Sequence, residues 1–397
     1  MSSDLPEPSR SAIRLGTDPP LGSRSVESER VIELLEEQRA RGLHQGAQVY
    51  ASRGGAVLLD AAIGESRPGR PLDPDDLMLM YSSGKPLTVA AILQLRDAGK
   101  LRLDDRVTEY IPGWGSGKEA CTIHHVLTHT GGFPLATSKL FDTDIAYADA
   151  IAEIAAAPAE WEPGTAAGYH PFSGWKVLGA IVEAVDGRPI AQYLRDEIVE
   201  PLGVDLLVAI PLDAQTELGE RITPIHWTGY TVFVTRDGVM QMVPYHADRF
   251  HNEAWHIAKA EPGGSMRGSA RSLGRFYESL LGHGPAILAS SSVDEMRATH
   301  RSGLKDRTLP ITQPWGLGVQ IEFSGGTSRS VFGHNGMGSS RGFADAETGL
   351  VFVVITNGLA NSLDNEQRMA SLTDAMYTAL GHDVQAVRRA TGPLGRA

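Results

Sequence analysis

The chain has 397 residues, of which 42% are hydrophobic and 21% charged, and this composition is typical of a folded globular protein. Its formal net charge is −12, which disfavours nucleic acid or an anionic membrane surface as the main partner. The single cysteine, Cys121, excludes an intramolecular disulfide and a cysteine-based zinc site. The apolar runs, such as residues 350–355, are strand-sized, and the first twenty residues lack the apolar segment of a secretory signal. We therefore expect a cytoplasmic enzyme.

The N-terminal third begins with residues 1–25, which are rich in proline, serine and glycine and predict a flexible arm. Apolar residues at helical spacing then predict a helix over 28–41. Two β-rich runs, 47–53 and 56–64, follow. They are joined by Gly54-Gly55, and two glycines between such runs are typical of a β-hairpin.

The remaining two thirds change character once. Residues 85–310 are dominated by helical patterns, whereas short apolar runs separated by glycine turns predict strands over 316–323, 330–334, 341–346 and 350–356. A final helix is predicted where apolar residues recur at helical spacing, at Met369, Leu372, Met376 and Leu380.

Strands at both ends with helices between them favour an α/β (α+β) fold, in which an antiparallel sheet is flanked by helices. The expected organisation is a discontinuous sheet domain, formed by 26–84 and 311–397, with a mostly helical domain inserted at 85–310.

Two serine motifs compete for the role of nucleophile. Residues 338–342 match G-x-S-x-G, but that motif needs a strand before it and a helix after it. Here both flanks look like strands, and only His382 follows as a possible base. We therefore interpret Ser340 as part of a turn between strands.

The second motif, S-x-x-K, places a lysine one helical turn after a serine, within reach of its hydroxyl. It occurs at Ser82–Lys85, Ser173–Lys176 and Ser302–Lys305. Ser302 lies in a polar stretch that predicts a loop, and Lys176 looks like an ordinary solvated position. Ser82 fits best, because a strand-like run precedes it and a strongly apolar helix follows, so that partial desolvation would lower the pKa of Lys85.

Four ordered segments then carry a resemblance to a known family. They are YSSGKPLTVAAILQLRDAGKLRLDDRVTEYIPGW, CTIHHVLTHTGGFP, a segment from WEPGTAAGYHPF to EIVEPLGV, and GHNGMGSSRGFADAETGLVFVVITN. Together they resemble the serine β-lactamase and penicillin-binding superfamily. The closer similarity is to its class C β-lactamase branch, with the family VIII carboxylesterases, D-aminopeptidases and transacylases.

The resemblance implies a β-lactamase/DD-peptidase-like fold and a role for each motif residue. Ser82 is the implied nucleophile and Lys85 its partner. Tyr169 would accept the serine proton, with Lys85 holding the pKa of the phenol down. The backbone N–H groups of Ser82 and Met337 would form the oxyanion hole. The third motif, His334-Asn335-Gly336, would bind substrate, and Gly336 would let it approach the strand closely.

Two departures from the family pattern bear on the substrate. Tyr-x-Asn becomes Tyr169-His170-Pro171, so a side-chain amide is missing, and His334 replaces the third-motif lysine that holds a β-lactam carboxylate. The resemblance thus implies a serine hydrolase or acyltransferase acting on esters or thioesters through acyl-Ser82, with water, an alcohol or an amine as acceptor and no cofactor. A β-lactamase or D-aminopeptidase, and a non-catalytic penicillin-recognising or scaffold protein, are the alternatives.

Two further groups of residues could bear on function, a histidine cluster and an aromatic stretch. His124, His125 and His129 lie within one helical turn or so of each other, but no H-E-x-x-H frame accompanies them, and a metal site is not expected. The aromatic stretch 225–255 predicts either a covering hairpin or the wall of an acyl pocket, built from Trp227, Tyr230, Phe233, Met240, Met242, Tyr245 and Phe250.

Overall fold

The computed structural model describes residues 13–16, 26–136, 145–236, 239–309 and 312–384. Its main sheet is antiparallel throughout and runs in the order β1–β3–β2–β13–β12–β11, with β4 paired to β3. The strands, in chain order, are β1 Arg14–Leu15, β2 Gly46–Arg53, β3 Ala56–Arg67, β4 Arg70–Pro71, β5 Met78–Leu79, β6 Leu206–Leu207, β7 His226–Trp227, β8 Thr231–Arg236, β9 Val239–Pro244, β10 Arg267–Gly268, β11 Val331–Gly336, β12 Ser340–Asp345, β13 Leu350–Thr356 and β14 Gly358–Leu359.

The α-helices cover the sheet and fill the middle of the chain. They are α1 Val26–Ala40, α2 Lys85–Asp97, α3 Ile123–Leu127, α4 Tyr147–Ala156, α5 Ser173–Asp186, α6 Ile190–Leu194, α7 Glu200–Leu202, α8 Leu212–Leu218, α9 Asp248–His251, α10 Ala254–Ile257, α11 Ala270–Leu280, α12 Ser290–Arg297 and α13 Ser362–Ala379. Short 3-10 turns at Tyr81–Gly84, Val107–Glu109 and Gly219–Arg221 and a π-helical turn at Arg195–Val199 complete them.

The central strand β13 shows how the sheet is packed. All seven of its residues are buried, and successive side chains point to opposite faces. Val351, Val353 and Ile355 join the core that contains α2, α5 and α11, whereas the alternate residues join the core under α1 and α13. A strand buried on both faces explains why its sequence is continuously apolar.

Segments from the N-terminal and C-terminal parts of the chain contribute to this one sheet. The hairpin of β2 and β3 turns at Gly54 and Gly55, which both have positive φ, and β2 pairs with β13 from the far end of the chain. The middle of the chain also reaches the sheet, because α11 packs against β2 and β13. The domain boundaries at residues 84 and 310 stay a prediction.

The structure differs from the predicted elements at one strand and in the N-terminal arm. The strand predicted over 316–323 is wrong, because that segment makes only isolated bridges and Gly318 adopts a positive φ of 61°. Within the predicted arm, Arg14–Leu15 pairs with β3, while 1–12 and 17–25 lie outside the described residues. Among the helices that the structure describes, none combines the length and apolarity needed to cross a membrane.

Candidate active site

Ser82 lies in the 3-10 turn that leads from β5 into α2. The residue before it, Tyr81, has a φ of +49°, in the left-handed region that non-glycine residues seldom adopt. The Tyr81 hydroxyl lies 2.7 Å from Nδ1 of His251, and the ring is buried. Packing therefore holds the turn in an unfavourable backbone conformation immediately before the predicted nucleophile.

Two polar side chains converge on the Ser82 hydroxyl. Lys85 Nζ lies 3.0 Å from Ser82 Oγ, and the Tyr169 hydroxyl donates to the same oxygen at 2.9 Å. The lysine comes from the first turn of α2, and the tyrosine comes from the loop before α5. The structure thus brings together the three side chains that the sequence predicted to act together.

Lys85 is fully buried, and besides Ser82 its amine makes hydrogen bonds with two backbone carbonyls. It donates to the carbonyl of Pro171 at 2.8 Å and to the carbonyl of Gly263. Burial lowers the pKa of Lys85 well below its usual value, and the Glu261 carboxylate offsets this only in part. An amine in this setting favours the unprotonated form, which is the form that acts as a base.

Tyr169 is held from both sides. Its backbone N–H donates to Asp306 Oδ1 at 3.0 Å, and its ring packs against Trp315 and His129, with centroids 5.7 and 4.8 Å away. Burial raises the pKa of Tyr169, although the hydrogen bond with Ser82 opposes the rise. We expected Lys85 to lower this pKa, and the structure instead favours a phenol that keeps its proton.

The third motif lies on β11, next to the Ser82 turn. His334 is 2% exposed, and its Nδ1 lies 2.6 Å from the carbonyl oxygen of Asn335. Burial, with a smaller contribution from Lys85, lowers the pKa of His334 to about 3. The imidazole is therefore neutral at neutral pH, with Nδ1 as the donor and Nε2 left as an acceptor.

The structure corrects the expected role of Asn335. Its Oδ1 accepts a hydrogen bond from Arg341 Nε at 2.7 Å, and Arg341 reaches Thr373 on α13. Neighbouring residues of a strand point to opposite faces of the sheet. The Asn335 side chain therefore points toward α13, and the His334 side chain points toward Tyr169. A substrate at Ser82 would not meet the Asn335 side chain.

Gly336 permits a close approach, but by the protein itself. A Cβ at this position would lie 2.0 Å from Ser340 Oγ and 2.5 Å from the carbonyl oxygen of Met80. Ser340 donates to that carbonyl at 2.7 Å, and Ser83 Oγ donates to the carbonyl of His334 at 3.1 Å. These contacts join β11 and β12 to the Ser82 turn, so Ser340 has a structural role; it is the first residue of β12 rather than part of the predicted turn.

The other S-x-x-K pairs lie elsewhere. Ser302 and Lys305 are exposed and lie in a loop, as predicted. The interpretation of Lys176 as a solvated residue is wrong, because its side chain is 2% exposed and lies 2.5 Å from Glu261. Ser173 donates to the carbonyl of Phe133 at 2.9 Å.

The neighbouring histidines serve separate contacts. His124 Nε2 lies 3.2 Å from His300 Nδ1, while His125 Nδ1 accepts from the backbone N–H of Thr122. His129 Nδ1 accepts from the backbone N–H of His170 at 3.1 Å. The described residues contain no group of three histidine, cysteine or acidic side chains placed to hold a metal ion.

The aromatic segment forms the predicted hairpin, β8 and β9. Tyr230, Tyr245 and Phe250 pack with Met337 against a small core that includes Tyr81, so these rings lie beside the Ser82 turn. Trp227 is 36% exposed and packs on His246, 4.6 Å between centroids. Met242 is exposed, and the side chains of Phe233 and Met240 lie outside the described residues.

The sequence did not predict several residues of the site. Trp315 stacks on Tyr169, and the Gly263 carbonyl holds Lys85. Pro171 also contributes through its backbone carbonyl rather than a side chain. A contact through a backbone carbonyl can be made by any type of residue, so the sequence does not predict it. The Glu-Pro-Gly-Gly run at 261–264 predicts only a tight turn.

Comparison with known families decides the wider assignment. The Beta-lactamase family model matches residues 31–374. The chain belongs to the beta-lactamase family. This membership confirms the predicted resemblance and the predicted fold.

Within this family, the chain is 27% identical over 314 residues to esterase/beta-lactamase LipL of Mycobacterium tuberculosis, covering 74% of this chain and 72% of that protein. It is 26% identical over 375 residues to esterase EstB of Burkholderia gladioli, covering 84% and 90%. The crystal structure of a family VIII carboxylesterase superposes with a TM-score of 0.75 at 22% identity, over 93% of this chain and 100% of that one, and this likeness supports the fold.

Proposed function

We propose that this protein is a serine esterase that transfers the acyl group of a small ester or thioester through acyl-Ser82 to water, an alcohol or an amine. The observation that carries the proposal is the position of Ser82 Oγ, within hydrogen-bond distance of both Lys85 Nζ and the Tyr169 hydroxyl. A nucleophile in contact with a base and a proton donor is the arrangement that covalent acyl transfer requires. The two curated relatives named above, both esterases by name, support the same assignment.

In this mechanism Lys85 is the base. A neutral amine has two N–H bonds and one lone pair, and the carbonyls of Pro171 and Gly263 accept the two N–H bonds. The lone pair then faces the third neighbour, the Ser82 hydroxyl, 3.0 Å away. Lys85 takes the serine proton as Ser82 Oγ attacks the carbonyl carbon of the ester.

Tyr169 acts as the proton donor. Because burial keeps the phenol protonated, it gives its proton to the leaving oxygen as the ester C–O bond breaks, and the Lys85 ammonium restores it. The products of this half-reaction are acyl-Ser82 and the free alcohol. Water or another acceptor then attacks the acyl group in the reverse sequence of proton transfers.

The oxyanion hole is proposed to use the backbone N–H groups of Ser82 and Met337. Met337 directly follows β11, whose end is joined to the Ser82 turn through Ser83, Ser340 and Met80. Two N–H groups on rigid, joined elements are suited to stabilise the charge that develops on the carbonyl oxygen.

The surroundings of Ser82 favour an ester over a β-lactam. His334 is neutral, so it offers no fixed positive charge to the carboxylate of a β-lactam. Pro171 stands where the family pattern has asparagine, and its carbonyl is already occupied by Lys85. Tyr230, Tyr245, Phe250 and Met337 supply apolar surface beside the turn, which suits the acyl chain of an uncharged ester.

A fluorophosphonate probe followed by mass spectrometry tests the proposal. We expect one covalent adduct, on Ser82, and hydrolysis of p-nitrophenyl butyrate that Ser82→Ala abolishes. A folded protein that is neither labelled nor active would favour the non-catalytic alternative. An adduct on Ser340 would overturn the assignment of the nucleophile.

A further inference from the structure

A second buried amine lies behind Lys85. Lys176, on the first turn of α5, and Glu261 form an ion pair with Nζ and Oε2 2.5 Å apart, and their side chains are 2% and 4% exposed. Glu261 comes two residues before Gly263, whose carbonyl holds Lys85, and α5 begins shortly after Tyr169. The ion pair therefore joins the two segments that surround the Lys85 amine.

Glu261 is the carboxylate that interacts with Lys85, and its negative charge opposes the effect of burial on that amine. The other titratable groups facing Lys85 are Tyr169, His129 and His334. Burial keeps all three uncharged at neutral pH. In the part of the chain that the structure describes, burial is the main influence on the charge state of Lys85, and Glu261 is the charged group that opposes it.

The Glu261 carboxylate interacts with two buried amines, those of Lys176 and Lys85. A buried carboxylate needs a compensating positive charge, and Lys176 supplies it by direct contact. The second oxygen of Glu261, Oε1, is buried and accepts no hydrogen bond from the described residues. Tyr147 and His256 also face the ion pair, and burial keeps both uncharged at neutral pH. If Lys176 carried no charge, the Glu261 carboxylate would favour a proton on Lys85, with which it interacts electrostatically.

We propose that Lys176 and Glu261 are positioning residues, in which the Lys176 ammonium neutralises Glu261 so that Lys85 remains an unprotonated base. This inference rests on the proposed acyl-Ser82 chemistry but not on which ester is the substrate. It differs from a purely structural role of the ion pair, because it requires the pH dependence of the reaction to change when the pair is altered.

The test is the pH profile of kcat/KM for p-nitrophenyl butyrate. Activity needs Lys85 without its proton, so the rate falls as the pH drops through the pKa of that amine. In Lys176→Met, Glu261 attracts a proton to Lys85, and we expect the acidic limb to move to higher pH by about one to two units. At a pH on the acidic limb the rate would fall by about tenfold or more, whereas the plateau at high pH would be largely kept. Lys176→Arg retains the positive charge and should leave the limb near its original position.

The reverse change separates charge from packing. Glu261→Gln removes the carboxylate while keeping its size, so the acidic limb should move to lower pH. The double variant Lys176→Met/Glu261→Gln has neither charge, and its limb should return close to that of the unaltered protein. These two variants also keep the test valid if Lys176→Met alone fails to fold.

A matched control is offered by another largely buried ion pair. Arg271 and Asp60 lie 2.5 Å apart, with side chains 15% and 4% exposed, and they belong to α11 and β3. Arg271→Met should lower stability but leave the acidic limb in place. The inference is overturned if folded Lys176→Met, Glu261→Gln and the double variant share the limb of the unaltered protein. If those three variants share the limb and Ser82→Ala is inactive, the inference fails but the proposed function stands. A Ser82→Ala variant that is still active and labelled would refute the proposed function itself.

Discussion

The chain uses the pattern S-x-x-K twice at the beginning of a buried helix, and the two copies have different surroundings. Lys85 meets a hydroxyl and two backbone carbonyls, whereas Lys176 meets a carboxylate. Ser82 is joined to Lys85, but Ser173 donates to the carbonyl of Phe133 instead. Burial alone therefore does not make a lysine a base. The difference lies in whether a negative charge compensates the ammonium.

The largest expected effect separates the two serines. Ser82→Ala should lower kcat for p-nitrophenyl butyrate by about 10⁴-fold or more, because the acyl-enzyme cannot form. Ser173→Ala removes only a hydrogen bond to a backbone carbonyl and should keep most of the activity. Initial rates on both variants, with circular dichroism to confirm folding, provide the measurement. An inactive but folded Ser173→Ala variant alongside an active Ser82→Ala variant would reverse the comparison.

The proton-transfer groups come next. Lys85→Met and Tyr169→Phe should each lower kcat by about 10²- to 10⁴-fold, the range for loss of a positioned acid or base. Because both side chains act on one oxygen, the double variant should lose much less than the product of the two single losses. Steady-state kinetics on the four proteins measure the coupling. Multiplicative losses would mean that the two groups act independently.

Ser82 and Lys85 could be predicted from the fixed local spacing of S-x-x-K, whereas Tyr169 and His334 were predicted from the resemblance to a known family. The S-x-x-K step and the helix that follows place Ser82 and Lys85 together whatever the rest of the chain does. The prediction that Lys176 is solvated was wrong for the opposite reason. Its partner Glu261 is 85 residues away, and the sequence alone does not show which segment covers a helix face.

In the fold, too, features set by neighbouring residues could be predicted, whereas features set by contacts between distant segments could not. The hairpin at Gly54-Gly55 and the strand at 350–356 follow from turn residues and continuous apolarity, and both were confirmed. The segment 316–323 has the apolar content of a strand, yet Gly318 N–H bonds to the carbonyl of Leu127 rather than to a neighbouring strand. That contact between distant segments has no signature in the local pattern.

Substrate preference gives a smaller effect. A charge-assisted hydrogen bond is worth ~1.5–3 kcal/mol, so the absence of a cation at His334 should cost a cephalosporin about 10- to 150-fold in relative kcat/KM. We expect p-nitrophenyl butyrate to be hydrolysed faster than a chromogenic cephalosporin by at least this factor. His334→Lys should shift the ratio toward the cephalosporin. If the unaltered protein favours the cephalosporin, the β-lactamase alternative replaces the esterase.

Stability, rather than activity, gives the remaining difference between the two lysines. They should differ in how the free energy of unfolding changes with pH. The pKa of Lys85 is lowered on folding, so between that value and about 10.4 the unfolded chain binds a proton that the folded protein does not. The free energy of unfolding then rises with pH, by about 1.4 kcal/mol per pH unit for this group. Lys85→Met should therefore flatten the increase in the free energy of unfolding as the pH rises toward about 10.4, measured by urea denaturation over a series of pH values.

Lys176→Met should change the same measurement differently. It leaves Glu261 buried without its partner and should cost about 3–5 kcal/mol, while Lys85 can still change its charge state on folding. The free energy of unfolding should be lower at each pH but should still rise with pH. This rise should be smaller only to the extent that the unpaired Glu261 carboxylate keeps Lys85 protonated in the folded protein. A Lys85→Met variant that keeps the full increase would show that Lys85 is charged in the folded protein, and the difference between the two lysines would disappear.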